Sequence, residues 1–165
     1  MVEKKGPGYR VGVGYDVHPL VEHRPLILGG ITIPYDQGLA GHSDADCLTH
    51  AICDALLGAI AAGDLGRHFP DSDPQYKDVE SLQLLKKVVE MVRTQGLRIT
   101  NIDATIVAQA PQLAPYRTQM EEKIAATVGI EQGRINLKAT TTEGLGFTGR
   151  GEGIAAYAVA LLELG

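Results

Sequence analysis

The sequence predicts an α/β mixture built around one sheet, and three observations carry that prediction. Short runs that alternate apolar and small or polar residues recur along the chain, the mark of strands. Stretches with apolar residues at helical spacing lie between them. No repeat or linker interrupts the 165 residues, a length that suits one domain, 1–165, with a proper core. Residues 1–9 are expected to form a flexible lead.

The first strand is expected over Arg10 to Asp16, where Val11, Val13 and Tyr15 alternate with small residues, and Asp16-Val17-His18 is expected to end it. Residues two apart in extended chain share a face, so Asp16 and His18 can reach one point together, as metal ligands must. Leu26 to Leu28 and Ile31 to Ile33 flank Gly29-Gly30, a two-residue hairpin signal.

Gly41 to Gly63 follows, a polar entry leading into a buried helix. Ser43, with Asp46 three residues on, reads as an acidic capping box. Leu48, Ile52, Ala55, Leu56 and Ala59 form one apolar face. Asp46, His50 and Asp54 form a polar seam, and Gly63 is the expected stop. This places His42 just before the helix N-terminus, where free N–H groups favour anions, and His50 about two turns further in.

Asp64 to Pro74 reads as a loop rich in carboxylates and proline, with Phe69 as its anchor. A helix from Ser81 to Gln95 stops at Gly96. A strand from Ile99 to Ala108 and a turn from Ala110 to Pro115 come next. Pro115 suits the first position of a third helix, which reaches Val128 and is capped by Gly129. Ile135, Leu137 and Ala139 alternate as another strand. Gly144 to Gly153 holds five glycines, which let backbone N–H groups approach an anion. The tail from Ile154 to Leu164 is too uniformly apolar for periodicity to separate strand from helix.

Composition limits function. The net charge of −5 argues against a nucleic-acid partner. It is compatible with a phosphorylated substrate, because bound metal ions supply positive charge. No run is long enough to cross a bilayer, and Met1 to Gly8 lacks the apolar core of a secretory signal. Cys47 and Cys53, six residues apart on one predicted helix, cannot pair with each other. Free thiols fit a cytoplasmic location.

Five motifs in order carry a resemblance: GYDVH at 14–18, GHSDAD at 41–46 followed by His50, DLGRHFPDSD at 64–73, QAP at 109–111, and TTTEGLGFTGRGEG at 140–153. With them the chain resembles the 2-C-methyl-D-erythritol 2,4-cyclodiphosphate synthase family of the non-mevalonate isoprenoid pathway, from about Arg10 to Leu164. The resemblance implies an α+β fold, a mixed β-sheet covered by helices on one face, with the tail as a strand. It implies a homotrimer whose sheets pack around a threefold axis and whose active sites lie between adjacent subunits. It implies lyase chemistry: 4-diphosphocytidyl-2-C-methyl-D-erythritol 2-phosphate closes to the cyclic diphosphate and releases CMP.

Carried over by position, Asp16, His18 and His50 match the zinc ligands, and Glu143 matches the ligand of a second divalent ion, magnesium or manganese. Asp64 and Gly66 match ribose contacts. Ala108, Ala110, Pro111, Leu113, Ala114 and Thr140 match the cytosine pocket. His42, Ser43, Phe69, Asp71 and Asp73 match the methylerythritol phosphate side. Thr142 belongs to the same substrate-binding segment. His42 and Thr141 are the candidate catalytic groups that stabilise the transition state. Gln112, Leu113 and Ala114 depart from the lysine and larger apolar residues of some relatives. Phe147 and Arg150 admit two readings: they shape the trimer axis, or they bind an isoprenoid diphosphate there, with Glu152 as the competing partner of Arg150. The rival functions are a zinc-dependent phosphoester hydrolase, with Asp46 or Asp54 as its base, and a non-catalytic trimeric zinc-binding protein.

Overall fold

Gly12 and Gly14 decide how closely the first strand meets the first helix. The computed structural model describes residues 8–165, and in it β1 (Tyr9–Glu22) lies directly under α1 (Cys47–Ala59). A Cβ built on Gly12 would sit 1.9 Å from the carbonyl oxygen of Ala55, and one on Gly14 would sit 1.9 Å from that of Ala51. Only glycine admits a helix backbone that close. The strand runs six residues past the expected end at Asp16, because it pairs first with the tail and then with β4 (Gln37–Leu39), a short strand the sequence did not announce.

The tail is β7 (Gly153–Leu164), the central strand of a five-stranded sheet. The order is β4-β1-β7-β5-β6, with β5 at Leu97–Val107 and β6 at Ile135–Thr140. Only β5 and β6 run parallel; the other pairings are antiparallel. The β7 run is apolar on both faces although only one is covered: the inner side chains are buried, while Tyr157 and Val159 stand on the open face. Its inner residues Ala156, Ala158 and Ala160 are small and fully buried, which leaves room for the packed helices.

α1, α3 (Ser81–Thr94) and α4 (Arg117–Val128) cover one face of this sheet. Leu85 and Val88 of α3 and Met120 and Ile124 of α4 complete the core with Ile102 and Ile106 of β5. The other face keeps large apolar side chains in the open: Val11 is 67% and Val13 70% exposed, joined by Tyr9, Tyr157 and Val159.

The hairpin of β2 (Leu26–Leu28) and β3 (Ile31–Ile33) forms as expected, with Gly29 and Gly30 both at positive φ. Its turn is pinned to α1: the Gly29 and Gly30 N–H groups donate to the Asp46 carboxylate at 3.0 and 2.8 Å. Asp46, not Ser43, is the N-cap, accepting from Thr49 N–H at 3.0 Å. The helix ends at Ala59, four residues before Gly63, because Ala61 already turns to φ +55°.

The remaining differences are local. The 64–74 stretch contains the one-turn helix α2 (Leu65–His68), capped by Asp64, and a 3₁₀ turn at Pro74–Tyr76, capped by Asp73. Pro115 lies in a 3₁₀ turn ahead of α4, while Gly129 is the left-handed cap expected. A second one-turn helix, α5 (Gly146–Gly149), sits inside the glycine-rich stretch. The flexible lead expected over 1–9 falls mostly outside the described residues. Tyr9 already belongs to β1, and the carbonyl of Gly8 accepts from Leu164 N–H at 3.2 Å.

Candidate active site

Asp16 and His18 project from β1 on the helix-covered side, and α1 brings His50 to them from its first turn. His50 thus lies next to the helix start, not two turns into the helix. The three donor atoms form a nearly equilateral triangle. Asp16 Oδ2 is 2.9 Å from His18 Nε2 and 3.1 Å from His50 Nδ1, and the two nitrogens are 3.3 Å apart. A tetrahedral site with zinc-length bonds has edges of about 3.3 Å. The triangle therefore fits a divalent ion of that size, and its chemistry, two imidazoles and a carboxylate, suits one. It is the one such cluster of three or more candidate ligands among the described residues.

Electrostatics agree with that geometry. Burial alone would raise the Asp16 pKa, but hydrogen bonds and charge from His18 and His50 outweigh it and hold the carboxyl at about 2. Burial works against protonation of His18, yet the Asp16 carboxylate and the Ala40 carbonyl more than offset it and raise that pKa. The Ala40 carbonyl accepts from His18 Nδ1–H at 2.8 Å, which leaves Nε2 free to face the triangle.

The GHS segment lies against the triad. Ser43 is buried, with its hydroxyl 3.2 Å from His50 Nε2. Arg24 holds this segment by donating to the carbonyls of Gly41 and Ser43 at 3.0 and 2.9 Å. His42 stands four residues ahead of the Asp46 N-cap, and its backbone carbonyl accepts from Asp78 N–H at 2.9 Å. Its Nε2 atom is buried without a protein partner, which marks it as a group awaiting a ligand.

The loop that carries Phe69 is held from α3. Phe69 is 9% exposed and meets Tyr76 edge to face, with ring centroids 5.4 Å apart. The Lys87 ammonium sits 5.7 and 5.2 Å from the two ring centres. Asp71 is near enough to His18 for its charge to favour the protonated ring. Asp73 is engaged in capping its 3₁₀ turn. Asp64 and Gly66 lie on α2, which is tied to α1 through Asp54 accepting from Leu65 N–H at 2.7 Å. Burial, then the charges of Asp16 and Asp64, push the Asp54 carboxyl up.

The other predicted residues gather elsewhere. Ala108, Pro111, Leu113, Ala114, Thr140, Thr141 and Glu143 line one open cleft of about 450 Å³. Ala110 precedes Pro111 in the turn beside it. Leu113 is itself buried, so it offers a ligand mainly backbone. Thr141 donates to Glu143 Oε1 at 3.1 Å and accepts from Glu143 N–H at 3.2 Å, so the two act as one unit. Thr142 is turned away, toward Leu145 and Thr148. The triad stands on β1 and this cleft on β6, with β7 and β5 between them. Three strand spacings amount to about 14 Å.

Phe147 stands at the open sheet face in a hollow with Tyr15, Leu145 and Tyr157. Arg150 is already paired with both Glu152 oxygens, at 2.7 and 3.3 Å.

Sequence reasoning missed Ser81, Asp44, Ala40 and Arg24. Ser81 Oγ is 2.8 Å from His50 Nε2, across 31 residues of sequence. No spacing rule links them; only the packing of α3 on α1 does.

Comparison with known proteins places the chain in a family. The sequence profile of the YgbB family matches residues 9–163. A 2-C-methyl-D-erythritol 2,4-cyclodiphosphate synthase of Moorella thermoacetica is 63% identical over 93% of this chain and 94% of its own. The enzyme of that name from Geobacillus kaustophilus is 61% identical over 94% and 98%. Among solved structures, a 2C-methyl-D-erythritol-2,4-cyclodiphosphate synthase in a CDP-bound form superposes with a TM-score of 0.86 at 36% identity, over 93% of this chain and 99% of that one. The bifunctional IspDF of Campylobacter jejuni gives 0.94 at 42%, over 97% of this chain, which spans 43% of its length. The chain therefore belongs to the YgbB family of 2-C-methyl-D-erythritol 2,4-cyclodiphosphate synthases.

Proposed function

We propose that this chain converts 4-diphosphocytidyl-2-C-methyl-D-erythritol 2-phosphate to 2-C-methyl-D-erythritol 2,4-cyclodiphosphate and CMP, as a cytoplasmic homotrimer with active sites between subunits. The observation that carries this reading is the triad: three donors at mutual distances of 2.9 to 3.3 Å in a chain of this family. The trimer rests on two features. An exposed apolar sheet face of this kind calls for a protein partner. The cleft for cytosine and the triad lie at opposite edges of one sheet, so one nucleotide substrate reaches both most simply across a subunit boundary.

The donor set of the triad suits zinc, and the lone carboxylate of Glu143 suits magnesium or manganese. When bound, these ions supply Lewis-acid polarisation of the diphosphate oxygens and neutralise charge that builds up on them. The nucleophile belongs to the substrate: an oxygen of the 2-phosphate attacks the β-phosphorus. A new P–O bond forms, the bond from that phosphorus to the α,β-bridging oxygen breaks, and CMP departs with the electron pair. No proton has to be removed from the attacking oxyanion, so the chain's own task is positioning and charge stabilisation. Ser43, Phe69, Asp71 and Asp73 hold the methylerythritol phosphate end. Ala108 to Ala114 and Thr140 hold the base, and Asp64 and Gly66 the ribose. His42 Nε2, buried and without a protein partner, donates to a phosphate oxygen, and the Thr141 hydroxyl, whose proton goes to Glu143 in the free chain, would turn to a phosphate oxygen once a cation takes that carboxylate.

The hydrolase reading lacks a free base. Asp46 already accepts from Gly29, Gly30 and Thr49, the last through both N–H and hydroxyl, so it is closed as a base. Asp54 is held by Leu65 N–H. A non-catalytic zinc protein needs a closed four-ligand site, whereas three ligands converge among the described residues. Phe147 and Arg150 shape the axial end of the trimer in this reading. An isoprenoid diphosphate on the axis would have to displace Glu152 from Arg150.

Phosphorus NMR of the purified chain with substrate, zinc and magnesium tests the function. Two coupled signals of the cyclic diphosphate growing with equimolar CMP are expected. A linear monophosphate product would favour the hydrolase, and an intact substrate the binding protein.

A further inference from the structure

We infer that Ser81 is a positioning residue for the metal site, setting the tautomer of His50 through a hydrogen bond that Asp44 directs. This rests on the metal reading of the triad.

The inference follows from counting protons. Ser81 is fully buried at the first position of α3, and its hydroxyl has one proton. Asp44 takes it: Ser81 Oγ donates to Asp44 Oδ1, and Ser81 N–H donates to Asp44 Oδ2 at 3.0 Å. Ionised Asp44 accepts only, so the direction is set. What Ser81 has left is a lone pair, and it sits 2.8 Å from His50 Nε2. Two lone pairs at that distance repel. His50 must therefore carry its proton on Nε2 and donate it to Ser81. Its Nδ1 is then a free lone pair, and Nδ1 is the atom 3.1 Å from Asp16 and 3.3 Å from His18 Nε2.

Without this arrangement the opposite tautomer has its own appeal. Nδ1–H would donate to Asp16, and Nε2 would accept from the Ser43 hydroxyl at 3.2 Å. That form turns a proton into the place where a metal must bind. Ser43 alone does not choose between the tautomers, because its hydroxyl can donate or accept. Ser81 chooses, because Asp44 has fixed it. The Ala40 carbonyl does the same for His18. Both imidazoles are thus preset by groups that accept only, directly or through one hydroxyl. Asp44 has a second effect: its bond to Ser81 N–H caps α3, where Glu80 makes no side-chain cap, and so couples that helix to the site.

The test is zinc affinity, read by competition with a chromophoric chelator, on the full chain and its S81A and S43A variants. S81A is expected to bind zinc about 10- to 100-fold more weakly, and S43A within about threefold of the parent. In ¹⁵N-histidine-labelled, zinc-loaded protein, the parent is expected to show a slowly exchanging Nε2 proton on His50 that S81A loses. An S81A affinity within about twofold of the parent overturns the inference, as does a loss confined to S43A. If the parent itself binds no zinc, the metal reading fails instead, which is a distinguishable result. Circular dichroism monitors folding. Should S81A not fold, D44N carries the test, since it removes the acceptor-only carboxylate and is expected to weaken zinc and speed exchange of the same proton. Unchanged zinc affinity in folded D44N overturns the inference equally.

Discussion

The edge of the sheet that carries the triad and the edge that carries the open cleft differ in how much of their geometry one chain supplies. At the triad, strand, helix and a buried serine bring three donors within 3.3 Å of one another. At the cleft, Glu143 stands exposed, hydrogen-bonded to Thr141, and among the described residues it belongs to no cluster of three or more candidate ligands. The first is a preorganised site; the second is half of one. A site of charge stabilisation depends on groups already in place before the reaction, and under the proposed function substrate and a neighbouring subunit complete the second half.

Breaking the organised half is expected to have the largest effect. His50→Ala removes one corner of the triangle and should cost about 4 kcal/mol of transition-state stabilisation, roughly 10³-fold in rate. Elemental analysis should show the loss of one bound divalent ion per chain, with the helical content unchanged. Near-parental activity would remove the triad from the chemistry.

The split itself is open to a second experiment. His50→Ala disables the triad and Glu143→Ala disables the cleft, and each variant alone is expected to be nearly inactive. If the proposed homotrimer holds, refolding them together in equal amounts sets an intact triad against an intact cleft at about a quarter of the sites. Recovery of about a quarter of the parental rate is expected in a steady-state assay. A mixture no more active than its components would mean that each chain builds its own site.

The smallest effect sharpens the comparison through pH. The His18 pKa is raised above 6.5 in the metal-free protein, chiefly by Asp16 and against the pull of burial. A divalent ion has to displace that proton, so apparent affinity falls as pH drops below the raised value and levels off above it. Titration calorimetry should show roughly a tenfold change per unit on the sloping limb. No histidine lines the cleft among the described residues, and cytidine itself, without a phosphate, has no group that titrates near neutrality, so cytidine binding measured without metal is expected to stay flat between about pH 6 and 8. A slope of equal size in both would erase the distinction.

Much of this molecule is legible in residue order. The Gly-Gly hairpin, the Gly96 and Gly129 stops and the Ile135 to Ala139 strand follow from local rules, because each depends on residues within a few positions. Asp16 and His18 are legible as a pair for the same reason: period two puts them on one face. The start of α1 was misread because Ser43 and Asp46 are both good caps, and what decides between them is distant. The hairpin turn donates two N–H groups to Asp46, and Ser43 is engaged with Ala45 and His50 instead. The tail is undecidable by periodicity because the residues it turns to the open face, Tyr157 and Val159, are apolar like the alanines it buries, so the hydropathy alternation of a half-buried strand is missing.

The sequence by itself therefore determined the longer helices, the hairpin, most of the long strands, the pairing of Asp16 with His18 on one face and, through five ordered motifs, the family. It did so because hydrophobic period, turn residues and metal-ligating side chains are properties of short segments. Tertiary structure alone decided which strand is central, that Gly12 and Gly14 let α1 approach β1 closely enough to bring His50 to Asp16, and that Ser81 orients His50. Those are contacts between backbones and side chains 30 or more residues apart, and no local pattern encodes the distance at which two surfaces meet.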